Sequence, residues 1–464
     1  MSLENQVNQK SFITHGAINK VIIYISAPLM LNNLVRTLYN LTDGLFVAQI
    51  SAEDFAATAF VWPLNFLFIS LGMGVGVGAT ALLAQLLGAQ RKDQARHYAH
   101  NALFISYTLG FITMLIGLLT APTFLTWMGA RGDLYDKSLV YLRINYIGLF
   151  FDFVYFGYQA ILNSQGKTKA ITIISALSSI SNIILDPLFI FEDLPWFALP
   201  GLNWGIVGAG WATVVSKLVL YILAVLVVEK QSDLKVTVKA FKLDQAVIQH
   251  ILKVAWPTAL GYGGSALGFT VLNGLIASYG TNTLAAFSMV NRITDIITQL
   301  QMGIGGGLTS IIGQNMGAKQ FNRSRLIFRQ ATLMVIGISF CASLIVLLFQ
   351  NSVLSVFIKD NADPELWIQA KEYLTFSAFI IFFMGLFSIF NGFFQGCGQT
   401  QYGMYMSIGR LWALRLPVIW LLKSVTSLGS TGIWIAMLVS NAGVCLYGYY
   451  IYKSRDWAAL ALYH

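Results

Sequence analysis

The chain has 464 residues, of which 56% are hydrophobic and only 11% are charged. Soluble domains carry roughly 25% charged residues, so this composition argues against a water-soluble enzyme and for a membrane protein. The mean hydropathy is +0.66 and the formal net charge is +9.

Apolar runs long enough to cross about 30 Å of hydrocarbon follow one another along the whole chain. We predict twelve transmembrane helices, over residues 18–48, 56–86, 98–121, 138–162, 170–192, 205–228, 248–278, 284–312, 327–350, 367–394, 403–424 and 432–452. The predicted fold class is therefore an all-α membrane protein. Residues 1–17 are polar and lead into a run that is too long for a signal peptide, so we expect them to remain attached.

The second half of the sequence repeats the first half. Pro28 recurs as Pro257, and the match at this constant offset runs without a gap to Arg96, which falls on Arg325. The same offset relates the glycines of the second run to those of the eighth, namely Gly74, Gly76 and Gly78 to Gly303, Gly305 and Gly307. The register then slips slightly, and the match continues in Tyr141 with Tyr373 and in Gly166 with Gly398.

This duplication is typical of membrane transporters, in which two similar halves rock against each other around a central site. Six runs per half is an even number, so both halves enter the membrane from the same side as parallel repeats. We predict an N-lobe over residues 1–228, a polar cytoplasmic linker over residues 229–245 and a C-lobe over residues 246–464. The two six-helix repeats are expected to surround a central cavity.

Positive charges are concentrated in alternate loops between the predicted helices. By the positive-inside rule both termini are cytoplasmic, and we expect the protein in the plasma (inner) membrane. The net charge therefore reflects topology, and we expect no nucleic-acid partner. The cation-rich side includes Lys10, Lys20, Arg91, Lys92, Lys167, Lys230, Lys239, Lys242, Lys319, Arg323 and Lys453.

Sequence patterns for other kinds of chemistry fail on inspection. Cys341, Cys397 and Cys445 lie in three different runs and have no disulfide or metal spacing. Gly166-Lys167-Thr168 resembles the end of a phosphate-binding loop, but the position that requires the earlier glycine is Ile161. We therefore expect that the protein is not an enzyme and has no cofactor, and no metal other than a coupling ion. We also expect a monomer in the lipid bilayer.

Two carboxylates lie inside predicted spans, where a charge is costly and indicates a functional cavity. Asp43 is late in span 1, and Asp186 is in span 5, one turn after Asn182 on the same helix face. Pro187 follows and frees a backbone carbonyl. Amide, carboxylate and carbonyl oxygens together suit H⁺ or a hard cation such as Na⁺. The alternative is that Asp186 only caps a kinked helix.

At these residues the chain resembles the multidrug and toxic compound extrusion (MATE) transporters over nearly its whole length. The resemblance is specific because several motifs occur together and in order. They are Ala27-Pro28-Leu29, Tyr39-Asn40-Leu41-Thr42-Asp43, Gln85-x-x-Gly88-Ala89, Asn163-Ser164-Gln165-Gly166-Lys167-Thr168, Asn182-x-x-x-Asp186-Pro187 and Gly205-x-x-Gly208-Ala209-x-x-Ala212-Thr213.

The resemblance implies an exporter of organic cations and other amphipathic compounds in exchange for H⁺ or Na⁺. Acids lie in spans 1 and 5, whereas spans 7 and 10 lack them, which is similar to the DinF-like branch. By this resemblance the ion-coupling residues, which would also form a Na⁺ site, are Asp43, Asn182, Asp186 and Thr213.

Further polar residues are candidates for the substrate cavity: Arg36, Tyr39, Asn40, Asn163, Asn273 and Asp295. Arg36 and Lys217 leave two interpretations open, since they either pair locally or line a cavity of mixed charge. Pro28 and Pro187 are predicted hinges, because proline removes a backbone hydrogen bond and lowers the cost of bending.

The predicted function is a secondary active antiporter that exports amphipathic organic compounds, which we expect to be cationic, by rocking of its two lobes. The alternative is a flippase for lipid-linked substrates, an architecture of the same superfamily. The sequence leaves the substrate, the choice between H⁺ and Na⁺, and the inward- or outward-open state undetermined.

Overall fold

The computed structural model describes residues 12–193, 200–236, 243–356, 358 and 363–460. Part of the predicted linker and the cations Lys10, Lys239 and Lys242 lie outside the described residues. Twelve long helices occur in the described part of the chain, and they match the twelve predicted spans. Eleven are α1 Ile18–Ile50, α2 Ala52–Gly88, α3 Lys92–Trp127, α4 Gly132–Ser164, α5 Thr168–Ile190, α6 Gly205–Gln231, α7 Gln245–Ala277, α8 Thr281–Gly317, α9 Phe321–Leu348, α10 Pro364–Gly396 and α12 Ser430–Ser454.

The remaining helix, α11, consists of three successive segments. It begins as an α-helix over Thr400–Ile408, continues as a π-helix over Gly409–Arg415 and ends as an α-helix over Leu416–Val425. Short π-helical insertions are rare, and those that occur are often found at functional sites. A short helix, Gln350–Ser355, follows α9. The predicted all-α membrane fold with twelve spans is confirmed.

The predicted repeat is visible in the backbone of the turns. Gly166 and Gly398 occupy the same place after α4 and α10, and their φ angles are 72° and 74°. Gln90 and Lys319, which are related by the offset of the repeat, have φ angles of 62° and 60° after α2 and α8. Left-handed φ values are uncommon for residues other than glycine, so the two halves share an unusual local conformation.

The chain forms two compact units, which we call the first unit (Leu31–Gly263) and the second unit (Met1–Met30 with Gly264–His464). The boundaries fall inside α1 and α7 and not in the linker. The start of α1 therefore belongs with the second half of the chain, and the start of α7 belongs with the first half. The predicted lobes, residues 1–228 and 246–464, grouped each helix start with its own half of the chain, and the compact units differ from them in this respect.

Glycines related by the repeat explain why the starts of α1 and α7 each pack with the other half of the chain. In the first unit, a Cβ added to Gly78 of α2 would lie 2.8 Å from the amide nitrogen of Ala255 in α7. In the second unit, a Cβ added to Gly307 of α8 would lie 2.5 Å from the hydroxyl of Ser26 in α1. Ser26 and Ala255 are themselves related by the offset that relates Pro28 to Pro257. Only glycine lets each helix start approach so closely, so the glycine ladder is a packing device.

Each unit has its own apolar core. In the first unit the core lies among α1 to α6, and includes the buried aromatic side chains of Tyr146 and Phe153. In the second unit, Tyr373 of α10 stacks on Trp434 of α12 with ring centroids 4.1 Å apart. Both side chains are almost completely buried. These cores hold the helices that carry the polar residues described below.

Candidate functional site

A buried polar pair occupies α5 in the first unit. Asn182 and Asp186 are both 0% exposed, and Nδ2 of Asn182 donates to Oδ1 of Asp186 over 3.2 Å. Their four-residue spacing places them on one helix face. Pro187 follows within α5, and its carbonyl accepts a hydrogen bond from the amide of Phe191 over 3.2 Å. The pairing expected from the sequence is therefore present.

Close packing of α6 against the end of α5 brings a third residue to this pair. A Cβ at Gly208 would clash with the carbonyl oxygen of Phe189, and the amide of Trp204 donates to the same oxygen over 2.9 Å. Thr213 lies one to two turns further along α6 and is 5% exposed. Its hydroxyl donates to the carbonyl of Ala209 over 3.0 Å.

The last part of α1 completes the cluster. Asp43 of α1 interacts electrostatically with Asp186 of α5. Tyr39, one turn before Asp43, interacts electrostatically with both carboxylates, and its side chain lies beside that of Thr213. The structure thus brings together Asp43, Asn182, Asp186 and Thr213, which were predicted as ion-coupling residues, and Tyr39, which was predicted as a cavity residue.

Three oxygens of this cluster have unused bonding capacity. Oδ1 of Asp43, Oδ2 of Asp186 and Oδ1 of Asn182 are buried and accept no hydrogen bond from the described residues. A buried polar atom without a partner is costly, so such atoms indicate a bound species. Carboxylate and amide oxygens are ligands of hard cations, and a carboxylate also accepts a proton. The cluster therefore suits either H⁺ or Na⁺.

An ion pair beside the cluster was not predicted from the sequence. Nζ of Lys217 in α6 lies 2.7 Å from Oδ2 of Asp152 in α4, and the two side chains are only 15% and 13% exposed. Lys217 also interacts electrostatically with Asp43. The opposite signs of these two charges, each within an apolar span, were the signal available in the sequence. Lys217 is therefore paired locally and still influences the site.

Tyr141 of α4 is a second residue that sequence reasoning did not assign to the site. It interacts electrostatically with both Asp43 and Asp186, and its backbone carbonyl accepts a hydrogen bond from Nδ2 of Asn145 over 3.0 Å. The only signal in the sequence was its match to Tyr373 in the repeat. Both carboxylates thus interact electrostatically with a tyrosine of α1 and a tyrosine of α4.

Three cavity candidates of the first unit lie outside this cluster. Arg36 and Asn40 of α1 are exposed, and Arg36 interacts electrostatically with Tyr155 of α4. Asn163 lies at the end of α4, six turns after Tyr141, which corresponds to about 33 Å of helix. Its Oδ1 is buried and accepts no hydrogen bond from the described residues. Asn163 is therefore remote from the carboxylates.

The other two cavity candidates lie in the second unit. Asn273 of α7 and Asp295 of α8 are both exposed. Asp295 interacts electrostatically with Tyr373, whose hydroxyl donates to Oδ1 of Asn291 over 2.8 Å. Arg415 of α11 also interacts electrostatically with Tyr373. Tyr373 thus brings Asn291, Asp295 and Arg415 into a separate polar group within the second unit.

The family profile named MatE matches residues 28–188 and, a second time, residues 257–421. The two matches begin at Pro28 and at Pro257, the prolines that the repeat relates, and together they cover most of the chain. The chain belongs to the MatE family. Its twelve-helix fold, duplicated halves and membrane spans are those of a membrane transporter of this family.

Relatives of this MatE protein resemble it over almost the full length. The "Probable multidrug resistance protein YoeA" of Bacillus subtilis (strain 168) is 25% identical over 438 residues, which are 92% of this chain and 93% of YoeA. Among solved structures, "Crystal structure of MATE in complex with MaL6" has a TM-score of 0.90, with 24% identity and coverage of 97% and 98%.

A second solved structure is that of a MOP superfamily transporter from Pyrococcus furiosus Vc1. Its TM-score is 0.89, with 25% identity and coverage of 97% of this chain and 98% of that chain. It is described with the words "Reverse polarity of binding pocket suggests different function".

Proposed function

We propose that this protein is a secondary active antiporter that exports amphipathic, mainly cationic, organic compounds in exchange for H⁺ or Na⁺. The observation that carries the proposal is the interacting pair Asp43 and Asp186, with one buried, unsatisfied oxygen on each carboxylate. Relatives named for multidrug resistance, such as YoeA, support export of organic compounds. The mechanism involves no covalent chemistry.

Competition for negative charge couples the two fluxes. Two carboxylates in one largely buried cluster repel each other, so a proton or Na⁺ that enters relieves the repulsion. An organic cation relieves the same repulsion when the ion is absent. Binding of the ion and binding of the cation are therefore mutually weakening, and linkage requires the effect to be equal in both directions.

Helix α1 connects this chemistry to movement. It carries Asp43 in the first unit, and Pro28 lies within the part of α1 that belongs to the second unit. Pro28 lacks the amide hydrogen of a regular helix, which lowers the cost of bending there. Neutralisation of Asp43 is thus expected to shift α1 between conformations and to accompany the rocking of the two halves.

The proposal is tested by transport in proteoliposomes with separately imposed gradients of H⁺ and Na⁺. Efflux of a quaternary ammonium dye should follow one of these gradients and should disappear in the doubly substituted variant Asp43→Asn/Asp186→Asn. Dye efflux that ignores both gradients, with an affinity that is independent of pH and of Na⁺, contradicts the coupling scheme.

A second candidate function is the movement of lipid-linked substrates that carry an anionic group. It is favoured by Arg410 and Arg415, which are 5% and 2% exposed and form no ion pair with a carboxylate among the described residues. The Pyrococcus furiosus transporter described with a pocket of reverse polarity is a relative in fold. Transport of an anionic lipid-linked compound, with no transport of the cationic dye, would favour this alternative.

A further inference from the structure

A cavity of about 930 Å³ lies in the second unit among α9, α10 and α12. It is unrelated to the carboxylate cluster, which belongs to the first unit. Neither aspartate nor glutamate occurs among the residues that line it. Its two ends differ in chemistry, since one end is cationic and the rest is apolar.

One end of the cavity is cationic. Arg325 and Arg329 lie in the first turns of α9, and Lys453 lies in the last turn of α12, so three positive charges gather at the same end of the helices. All three side chains are exposed and make no ion pair with a described residue. Tyr452 interacts electrostatically with Arg325 and stacks on Phe328 with ring centroids 4.3 Å apart.

The rest of the cavity is apolar. Its wall along α9 runs from Asn322 to Ile336, a rise of about 21 Å, which reaches well into a hydrocarbon core of about 30 Å. Leu333 of α9 and Leu446 of α12 line it and are 51% and 71% exposed. Leu386 and Phe390 of α10 form its inner wall.

We propose that this groove binds one anionic phospholipid. Its phosphate lies against Arg325, Arg329 and Lys453, and an acyl chain lies along the apolar wall formed by α9, α10 and α12. Basic pockets between transmembrane helices are the sites where anionic head groups bind. Three cations, with no acid among the lining residues, favour a lipid with net negative charge over a zwitterionic lipid. By the positive-inside rule these cations face the cytoplasmic leaflet, where anionic lipids attract them.

The groove also explains an otherwise unfavourable arrangement of charge. Three unpaired cations at the start of α9 and the end of α12 repel one another, and a phosphate between them removes that repulsion. A lipid bound there joins the start of α9 to the end of α12, so it is expected to stabilise the second unit. A free phosphate ion contacts only the cationic end and leaves the apolar wall uncovered.

Native mass spectrometry of the full-length protein with added phosphatidylglycerol or phosphatidylcholine tests the assignment. The wild-type protein should retain phosphatidylglycerol preferentially. Each cation contributes about fivefold to affinity, so R325Q, R329Q and K453Q should each weaken it about fivefold and the triple variant about 100-fold. The matched control is R91Q/K92Q/K235Q, which removes three exposed cations elsewhere and should leave the affinity within about twofold of wild type.

A second variant tests the apolar wall with all three cations intact. Leu386→Trp fills the groove beside α10 and should weaken phosphatidylglycerol at least about fivefold, while the affinity for inorganic phosphate stays unchanged. Equal retention of the two lipids, or wild-type retention of phosphatidylglycerol by the triple variant, overturns the proposal. So does complete displacement of the lipid by inorganic phosphate at millimolar concentration, because that result assigns the site to a free anion.

Discussion

Two repeat-related tyrosines, Tyr141 in the first unit and Tyr373 in the second, face opposite charges. Tyr141 lies near the carboxylates of Asp43 and Asp186. Tyr373 interacts electrostatically with the guanidinium of Arg415 as well as with Asp295. The two halves therefore keep the same helix framework but invert the charge inside it.

Individual positions make the inversion clear. The counterpart of Asp43, at the constant offset of the repeat, is Leu272, which is fully buried in an apolar cluster. Helix α11, the counterpart of α5, carries Arg410 and Arg415 on its π-helical segment. Arg415 donates from Nε to the hydroxyl of Ser440 over 3.0 Å, and Arg410 lies 4.5 Å from the ring centroid of Phe387. The first unit thus carries the candidate ion site, and the second unit offers a positive environment.

The largest expected effect comes from removing the negative charge of either carboxylate in the first unit. Asp43→Asn and Asp186→Asn should each abolish ion-driven exchange, because asparagine keeps the size and hydrogen bonding of the side chain but does not titrate. Proteoliposome transport measures the loss, and size-exclusion chromatography checks folding. Asp133→Asn, at an exposed acid in the first turn of α4, is the matched control and should transport normally. Gradient-driven transport by either core variant would remove that carboxylate from the mechanism.

The second unit supplies the reverse experiment. Arg415→Met removes a buried positive charge, so repulsion of a cationic substrate should decrease and the affinity for a quaternary ammonium compound should rise about tenfold. Affinity for a matched sulfonate should fall. Tryptophan fluorescence titration measures both dissociation constants, and Arg415→Lys keeps the charge as a control. An unchanged ratio of the two affinities would mean that Arg415 is purely structural.

Lys217 is the positive charge within the acidic first unit, and its removal should have a smaller effect. Lys217→Met leaves Asp152 unpaired, which should lower the free energy of unfolding by about 2 kcal/mol, less than the loss of a completely buried pair. Denaturant unfolding in detergent measures this change. The double variant Lys217→Met/Asp152→Asn should recover most of it. Equal destabilisation by the single and the double variant would contradict a direct pairing.

The limits of sequence reasoning follow from which interactions are local. Span positions and the Asn182–Asp186 pair were predictable, because hydropathy and a four-residue spacing depend on nearby residues. The Lys217–Asp152 pair depends on the rotation of α4 against α6, and no local pattern specifies that rotation. The exchange of helix starts between the units also escaped prediction. The glycine ladder was recognised as a marker of the repeat, but its contacts lie on distant helices.

Steric tests of the glycine ladder should show where the two units are alike. Gly78→Val and Gly307→Val place a side chain against α7 and α1 respectively, and each should destabilise the protein by about 1–3 kcal/mol through overpacking. Thermal unfolding should report similar losses for both. Gly337→Ala in α9 is the control, since an added Cβ there meets nothing within 4 Å. A loss in only one of the two variants would show that the repeat packs differently in the two units.

The start of α7 should respond to acid, whereas the start of α1 should not. Asp244 precedes α7; its carboxylate hydrogen bonds His97 of α3 at 3.2 Å and accepts the amide of Ala246 over 2.9 Å. The hydrogen bond from His97 lowers the pKa of Asp244 below its ordinary value of about 3.9. In the second unit, by contrast, Arg323 donates to the backbone carbonyl of Gly16 just before α1, and neither group titrates in this range.

The sign of the effect follows from the depressed pKa. The stabilising contribution of Asp244 is complete above its ordinary pKa and disappears as the pH falls through the lower folded-state value. Hydrogen exchange in the first turn of α7, corrected for intrinsic rates, should therefore speed up a few-fold as the pH falls from about 5 to below about 3. The first turn of α1 should stay constant, and Asp244→Asn should remove the pH dependence in α7. Parallel acceleration in both turns would assign the change to general acid unfolding and not to Asp244.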